Sequence, residues 1–207
     1  MISRNPPRWP ALAAATLVLV LLAPRAGALA LGEAAPKSDV LMKNVDGREL
    51  SIASVQGAKG TLILFTCNHC PWVKAWEGRM VQIAARARQR GIGAIAINPN
   101  DPAAYPEDSY ENMQKRAREH GYGFPYVVDS TSDVARAFGA THTPEAFLFD
   151  ARGALVYHGA IDDNARQPGK VKARYLSDAV KAVAAGKPVA AAETKALGCS
   201  IKFRGGK

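Results

Sequence analysis

The sequence predicts an α/β domain in which a central mixed β-sheet is flanked by helices. Three observations lead there. Short apolar runs at residues 62–66, 92–97, 124–128 and 146–149 have the character of strands, and stretches with helical spacing of apolar residues lie between them. Gly91, Gly121 and Gly139 close three of those helical stretches. Late in the chain two strand-like runs bracket Asp150-Ala151-Arg152-Gly153, a turn sequence that joins antiparallel strands.

Taken in order, the 207-residue chain opens with the three parts of a secretory signal. Arg4 and Arg8 give the positive start, residues 11–23 an almost wholly apolar segment, and Ala28-Leu29-Ala30 the small residues that precede cleavage. Residues 1–30 are expected to be a signal peptide, followed by a domain over 31–190 and a tail over 191–207 that carries Cys199. An uncleaved membrane anchor is the alternative, but Pro24 and Arg25 interrupt the apolar segment short of the ~20 residues a span requires.

Within the domain, residues 40–42 and 50–52 flank the turn dipeptide Asp46-Gly47 and predict a small N-terminal hairpin. The strand at 62–66 leads into a helix on which Trp72, Val73, Trp76, Met80, Ile83, Ala84 and Ala87 recur at helical spacing. Arginines then mark its C-terminus. A strand at 92–97 follows, then a Pro- and Asn-rich loop over 98–106 and a polar helix over 109–120. The strand at 124–128, a short helix over 132–138, the hairpin within 146–157 and a last helix over 175–185 complete the fold. Residues 184–192 are compositionally biased.

Charge narrows the function classes. The formal net charge is +9, and loss of residues 1–30 removes three arginines and no acid, which lowers it to +6. The remaining Lys and Arg are dispersed and not interleaved with aromatics, which argues against nucleic-acid binding. Export, to the periplasm or the extracellular space, would place the domain where disulfides persist.

The chemistry lies in Cys67-Asn68-His69-Cys70-Pro71, at the junction of a strand and a helix. Unpaired amide N–H groups at a helix start stabilise a thiolate, so Cys67 is the expected nucleophile and Cys70 the resolving thiol. Structural zinc would need about four ligands, and no second cysteine pair exists. No metal and no cofactor is expected. His69 is placed to favour the Cys67 thiolate, and His142 could face the same site. His120 and His158 are expected at the surface. Trp72 and Trp76 are expected to pack on the core or to shield the thiols. Cys199 is left open as a second resolving thiol, a structural pin or a free thiol.

The order strand, Cys-x-x-Cys helix, strand, helix, Thr143-Pro144, hairpin, helix resembles the thioredoxin-like fold over most of residues 36–185. The resemblance implies a cis proline at Pro144 facing the thiols, with Thr143 and Pro144 presenting backbone to a substrate strand. Further segments are similar to the alkyl hydroperoxide reductase and thiol-specific antioxidant group: Cys67 to Pro71, Ala96-Ile97-Asn98-Pro99-Asn100-Asp101, Tyr105-Pro106-Glu107-Asp108-Ser109, Phe124-Pro125-Tyr126 and Gly198-Cys199-Ser200-Ile201-Lys202. Residues 98–121 look like the loop-helix insertion of exported thioredoxin-like reductases, and oxidase-type members likewise carry His before the second Cys. The chain departs from the peroxiredoxin pattern, with Leu64 where a hydroxyl residue is expected and Gly60 in place of a proline. It lacks the thioredoxin buried acid too, because Thr61 stands six before Cys67.

These features lead to an exported thiol-disulfide oxidoreductase working through Cys67 and Cys70. A thiol peroxidase is the alternative, and a Cu(I)-handling protein using Cys67, Cys70 and a histidine such as His142 a more distant one. The expected partners are protein or small-molecule thiols and disulfides and a redox partner that recycles the site.

Overall fold

The computed structural model describes Met1 and residues 28–205; the expected signal segment falls almost wholly on residues 2–27, outside the described residues. Among the described residues no helix is long and apolar enough to cross a membrane.

The Asp46-Gly47 hairpin forms with strands closer to the turn than expected, β1 (Met42–Asn44) and β2 (Glu49–Leu50), because the Asn44 N–H donates to Arg48 O at 2.8 Å and carries the pairing up to the turn. β3 (Gly60–Phe65) leads to α1 (Pro71–Gln89), and β4 (Ile92–Asn98) follows. The insertion holds a 3-10 turn (Pro106–Asp108) and α2 (Tyr110–Glu119), with the Ser109 hydroxyl accepting from Asn112 N–H at 3.3 Å as the helix cap. β5 is only Tyr126–Val128, since Pro125 has no N–H for the ladder and contributes its carbonyl to Ala96 instead. Next come α3 (Asp133–Phe138), β6 (His142–Thr143), the hairpin of β7 (Glu145–Asp150) and β8 (Leu155–Gly159), α4 (Tyr175–Ala184) and β9 (Cys199–Ser200).

Apart from β6 and β9, which pair with each other, the strands form one mixed sheet. β2-β1-β5-β4 run in that order, with β4 and β5 parallel, and β3-β7-β8 are antiparallel. The two groups meet where β3 lies beside β4, and the Thr66 N–H donates to Ile97 O at 2.9 Å. All six residues of β3 are buried, which requires cover on both faces. Alternation assigns them: Leu62 and Leu64 join a core under α1, α2 and α4, while Ile63 and Phe65 join one under α3. In the second core, Phe65, Phe138 and Phe147 meet edge to face with centroids 5.2–5.6 Å apart.

Phe138 is fully buried at the centre of that aromatic group. Phe138→Ala is expected to cost about 3–5 kcal/mol of unfolding free energy in urea titration, while leaving the thiol face of the sheet unaltered.

Candidate active site

The loop between β3 and α1 brings both cysteines into the core, and each is 0% exposed. The helix starts one step later than expected. Pro71 occupies its first turn, where a missing N–H costs nothing, so Cys70 and not Cys67 is the capping residue. The thiolate-stabilising contacts follow that shift. Cys70 is held low, to about 4, first by a hydrogen bond from Cys67 and further by the Cys199 thiol and the backbone N–H groups of Val73 and Cys199. Thr143 O, 3.2 Å from Cys70 Sγ, favours the protonated thiol, but the donors outnumber it. Cys67 is pushed up, by its hydrogen bond to Cys70 first, then by burial and by the negative charge of Asp108. In this geometry the hydrogen bond between the two sulfurs favours the thiolate on Cys70 and opposes it on Cys67.

Asp108 is the functional residue that sequence reasoning missed. Its carboxylate is fully buried and accepts from four donors: Asn68 N–H at 2.6 Å, His69 N–H at 3.1 Å, His69 Nδ1 at 2.6 Å and Asn100 Nδ2 at 2.8 Å. A buried charge needs such pairing. The insertion therefore places a buried acid against the loop that carries the thiols. The available signal was the Tyr105 to Ser109 segment, which pattern alone could not connect to the thiols across the fold.

His69 is oriented by this carboxylate and by Tyr105, stacked on its ring with centroids 4.0 Å apart. Its Nδ1 faces Asp108 instead of a sulfur. Trp72 is half-buried, stacked on Trp76 with Arg166 over its face, and shields α1's first turn. His142 is not brought to the thiols; its Nδ1 lies 2.8 Å from Thr141 Oγ1. Among the described residues, the donors that converge within 4.8 Å are Cys67, His69 and Asp108, so the Cu(I) set built on His142 is not assembled. His158 is no free surface residue: its Nε2 pairs with buried Glu145 at 2.6 Å and its ring stacks on Phe147. His120 is largely exposed, in an ion pair with Glu77.

Thr143 bridges the two cysteines. Its hydroxyl lies 3.1 Å from Cys67 Sγ and its carbonyl contacts Cys70. The Thr143–Pro144 peptide is cis, as expected. The backbone edge expected to receive a substrate strand is occupied, however. β9 pairs antiparallel with β6, Thr143 opposite Cys199 and His142 opposite Ser200, and Cys199 Sγ lies 2.6 Å from Cys70 Sγ. Gly198 permits the approach: a Cβ there would lie 2.3 Å from Thr143 O. The third thiol is thus part of the same cluster.

Two outcomes test this arrangement. Because the folded Cys70 value lies below that of an unfolded thiol, its charge stabilises the reduced fold at neutral pH. That contribution is lost as pH falls through about 4. Ultraviolet thiolate absorbance of the reduced protein should persist down to about that pH and vanish in Cys70→Ser. Asp108→Asn should remove the charge that raises Cys67, lowering its titration midpoint, and cost about 1–3 kcal/mol of stability through lost acceptors in chemical denaturation.

Comparison with known proteins agrees with the geometry. A solved structure of an uncharacterized conserved protein from Geobacillus kaustophilus shares 38% identity, with a TM-score of 0.79, over 86% of this chain and 94% of its own. A thioredoxin-like protein solved in the oxidized form has a TM-score of 0.59 at 19% identity, over 76% of this chain and 97% of its own, a likeness of fold. The chain is also similar to the thiol-disulfide oxidoreductase ResA of Geobacillus thermodenitrificans, 27% identical over 128 residues, which are 62% of this chain and 68% of that protein. Residues 31–158 match the family described as AhpC/TSA, and with its thioredoxin-like fold the chain belongs to that family.

Proposed function

We propose that the chain is a thiol-disulfide oxidoreductase whose working couple is Cys67 and Cys70. One observation carries this: the two sulfurs are buried together at the start of α1, linked by a hydrogen bond that favours the thiolate on Cys70 and opposes it on Cys67. Forming their disulfide from the Cys67 thiol and the Cys70 thiolate passes two electrons and one proton to an oxidised partner, and reduction reverses it. The name of the ResA relatives supports the same chemistry. Thr143 positions both sulfurs, Pro144 closes the cluster beside it, and His69 with Asp108 fixes the loop that carries them.

Dithiol exchange is favoured over peroxide reduction by the surroundings of Cys67. Buried Leu64 replaces the hydroxyl residue of peroxiredoxins. The neighbouring Thr66 hydroxyl has no hydrogen-bond partner among the described residues, so the hydroxyl on Cys67 comes from Thr143. The apolar N-terminal segment supports export to a periplasmic or extracellular location, where an oxidising milieu suits the couple.

Peptide mapping of the air-oxidised protein should yield a Cys67–Cys70 crosslink, and Cys70→Ser should reduce thiol-disulfide exchange with dithiothreitol to the uncatalysed rate. Exchange at the wild-type rate in Cys70→Ser would sink the assignment.

A further inference from the structure

We propose that Cys199 is the sulfur through which the buried couple meets small dithiol substrates, with Cys70 carrying the disulfide alternately to Cys67 and to Cys199. This rests on the thiol-disulfide assignment above. Four observations meet at the tail. Cys67 and Cys70 are wholly buried while Cys199 is only half-buried. Cys199 Sγ is 2.6 Å from Cys70 Sγ, so the ~2.05 Å of an S–S bond needs a shift of about half an ångström.

The tail is also held firmly on both sides of the thiol. Upstream, the His158 N–H donates to Ala192 O and the Thr194 N–H to His158 O, which ties residues 192–194 to β8. Downstream, Ile201 N–H donates to Thr141 O, Lys202 N–H to Asn100 Oδ1 and Arg204 N–H to Ser132 Oγ, while Ile201 is buried in the core under α3. A segment anchored in this way is a member of the site and not a loose cover. Its pairing with β6 denies the Thr143 edge to a substrate polypeptide, which leaves a small thiol as the species able to reach the outermost sulfur.

The exchange balances. In the oxidised protein the Cys199 thiolate attacks Cys70 Sγ of the Cys67–Cys70 disulfide; the Cys70–Cys199 bond forms, and Cys67 leaves and takes up a proton. An external thiolate, drawn by Lys202 beside Cys199, then attacks Cys199 Sγ and displaces Cys70. Cys70, whose thiolate is the best stabilised of the three, is the better leaving group. The second thiol of the substrate attacks the first sulfur, and the cyclic disulfide departs. Cys199 ends as a thiol, consistent with its upward displacement by burial and by the neighbouring Cys70. The substrate has lost two electrons and the protein disulfide has gained them.

The test uses full chains, oxidised and then mixed with reduced dithiothreitol, with acid quenching and disulfide mapping by mass spectrometry. Cys67→Ser should hold a Cys70–Cys199 disulfide that dithiothreitol reduces. Cys199→Ser should hold Cys67–Cys70 and be reduced about 100-fold more slowly, because neither sulfur is reachable. A Cys67→Ser protein without the Cys70–Cys199 bond, or a Cys199→Ser protein reduced as fast as wild type, would overturn the relay and leave the Cys67–Cys70 couple standing. A wild-type protein that forms no disulfide among the three would remove both. The Cys67→Ser arm keeps the tail intact and so does not depend on the folding of a tail variant.

Discussion

The site is organised by the carboxylate of Asp108. An ionised group with no solvent contact is tolerable only if its lone pairs are filled, and here the filling groups are the parts of the site itself. Two backbone N–H groups of the thiol loop and the His69 ring end on it, and Asn100 carries the network on to the backbone of Lys202. The loop between β3 and α1, the insertion after β4 and the tail at β9 are consequently fixed relative to one another by one residue. The same charge, close to Cys67, opposes ionisation of that sulfur and helps to leave the thiolate on Cys70. Geometry and acidity share a cause.

Much of the fold was legible because period and punctuation decide it locally. The apolar runs of β3, β4 and β7, the helix that ends before Gly91 and the turn at Asp150 are each settled by near neighbours in the chain, and the structure departs from them by a residue or two. The thiol pair was equally legible, since Cys-x-x-Cys places both sulfurs on one turn. What sequence left unresolved was long-range. Asp108 is 39 positions from His69, and Cys199 is 129 from Cys70, so neither contact has a local signature. The sequence put the start of the helix at the thiol pair as a whole, whereas Pro71 defines that start and makes Cys70 the capping residue. His158 went astray because a polar residue on a half-buried strand is indistinguishable by pattern from one paired with a buried acid.

The cluster of three sulfurs sets the surroundings in which this member of the family would do its chemistry. The fold provides a buried cysteine at the end of a strand; the groups around it select the electrophile. Around Cys67 stand an aliphatic side chain at position 64, a threonine hydroxyl from β6 and the sulfur of Cys70, which in turn touches the sulfur of Cys199.

The 129-residue separation of two touching sulfurs has a bearing on the unfolded chain. A Cys67–Cys70 bond closes a loop of four residues and hardly restrains a denatured polypeptide. A bond from Cys70 to Cys199 would remove chain entropy from the denatured ensemble worth about 5 kcal/mol. Moving one covalent bond across a few ångströms in the native state is therefore, for the denatured state, the difference between a free coil and a large ring. The folded sheet brings these distant sulfurs together and, in doing so, joins the oxidation state of the site to the conformational entropy of the whole chain.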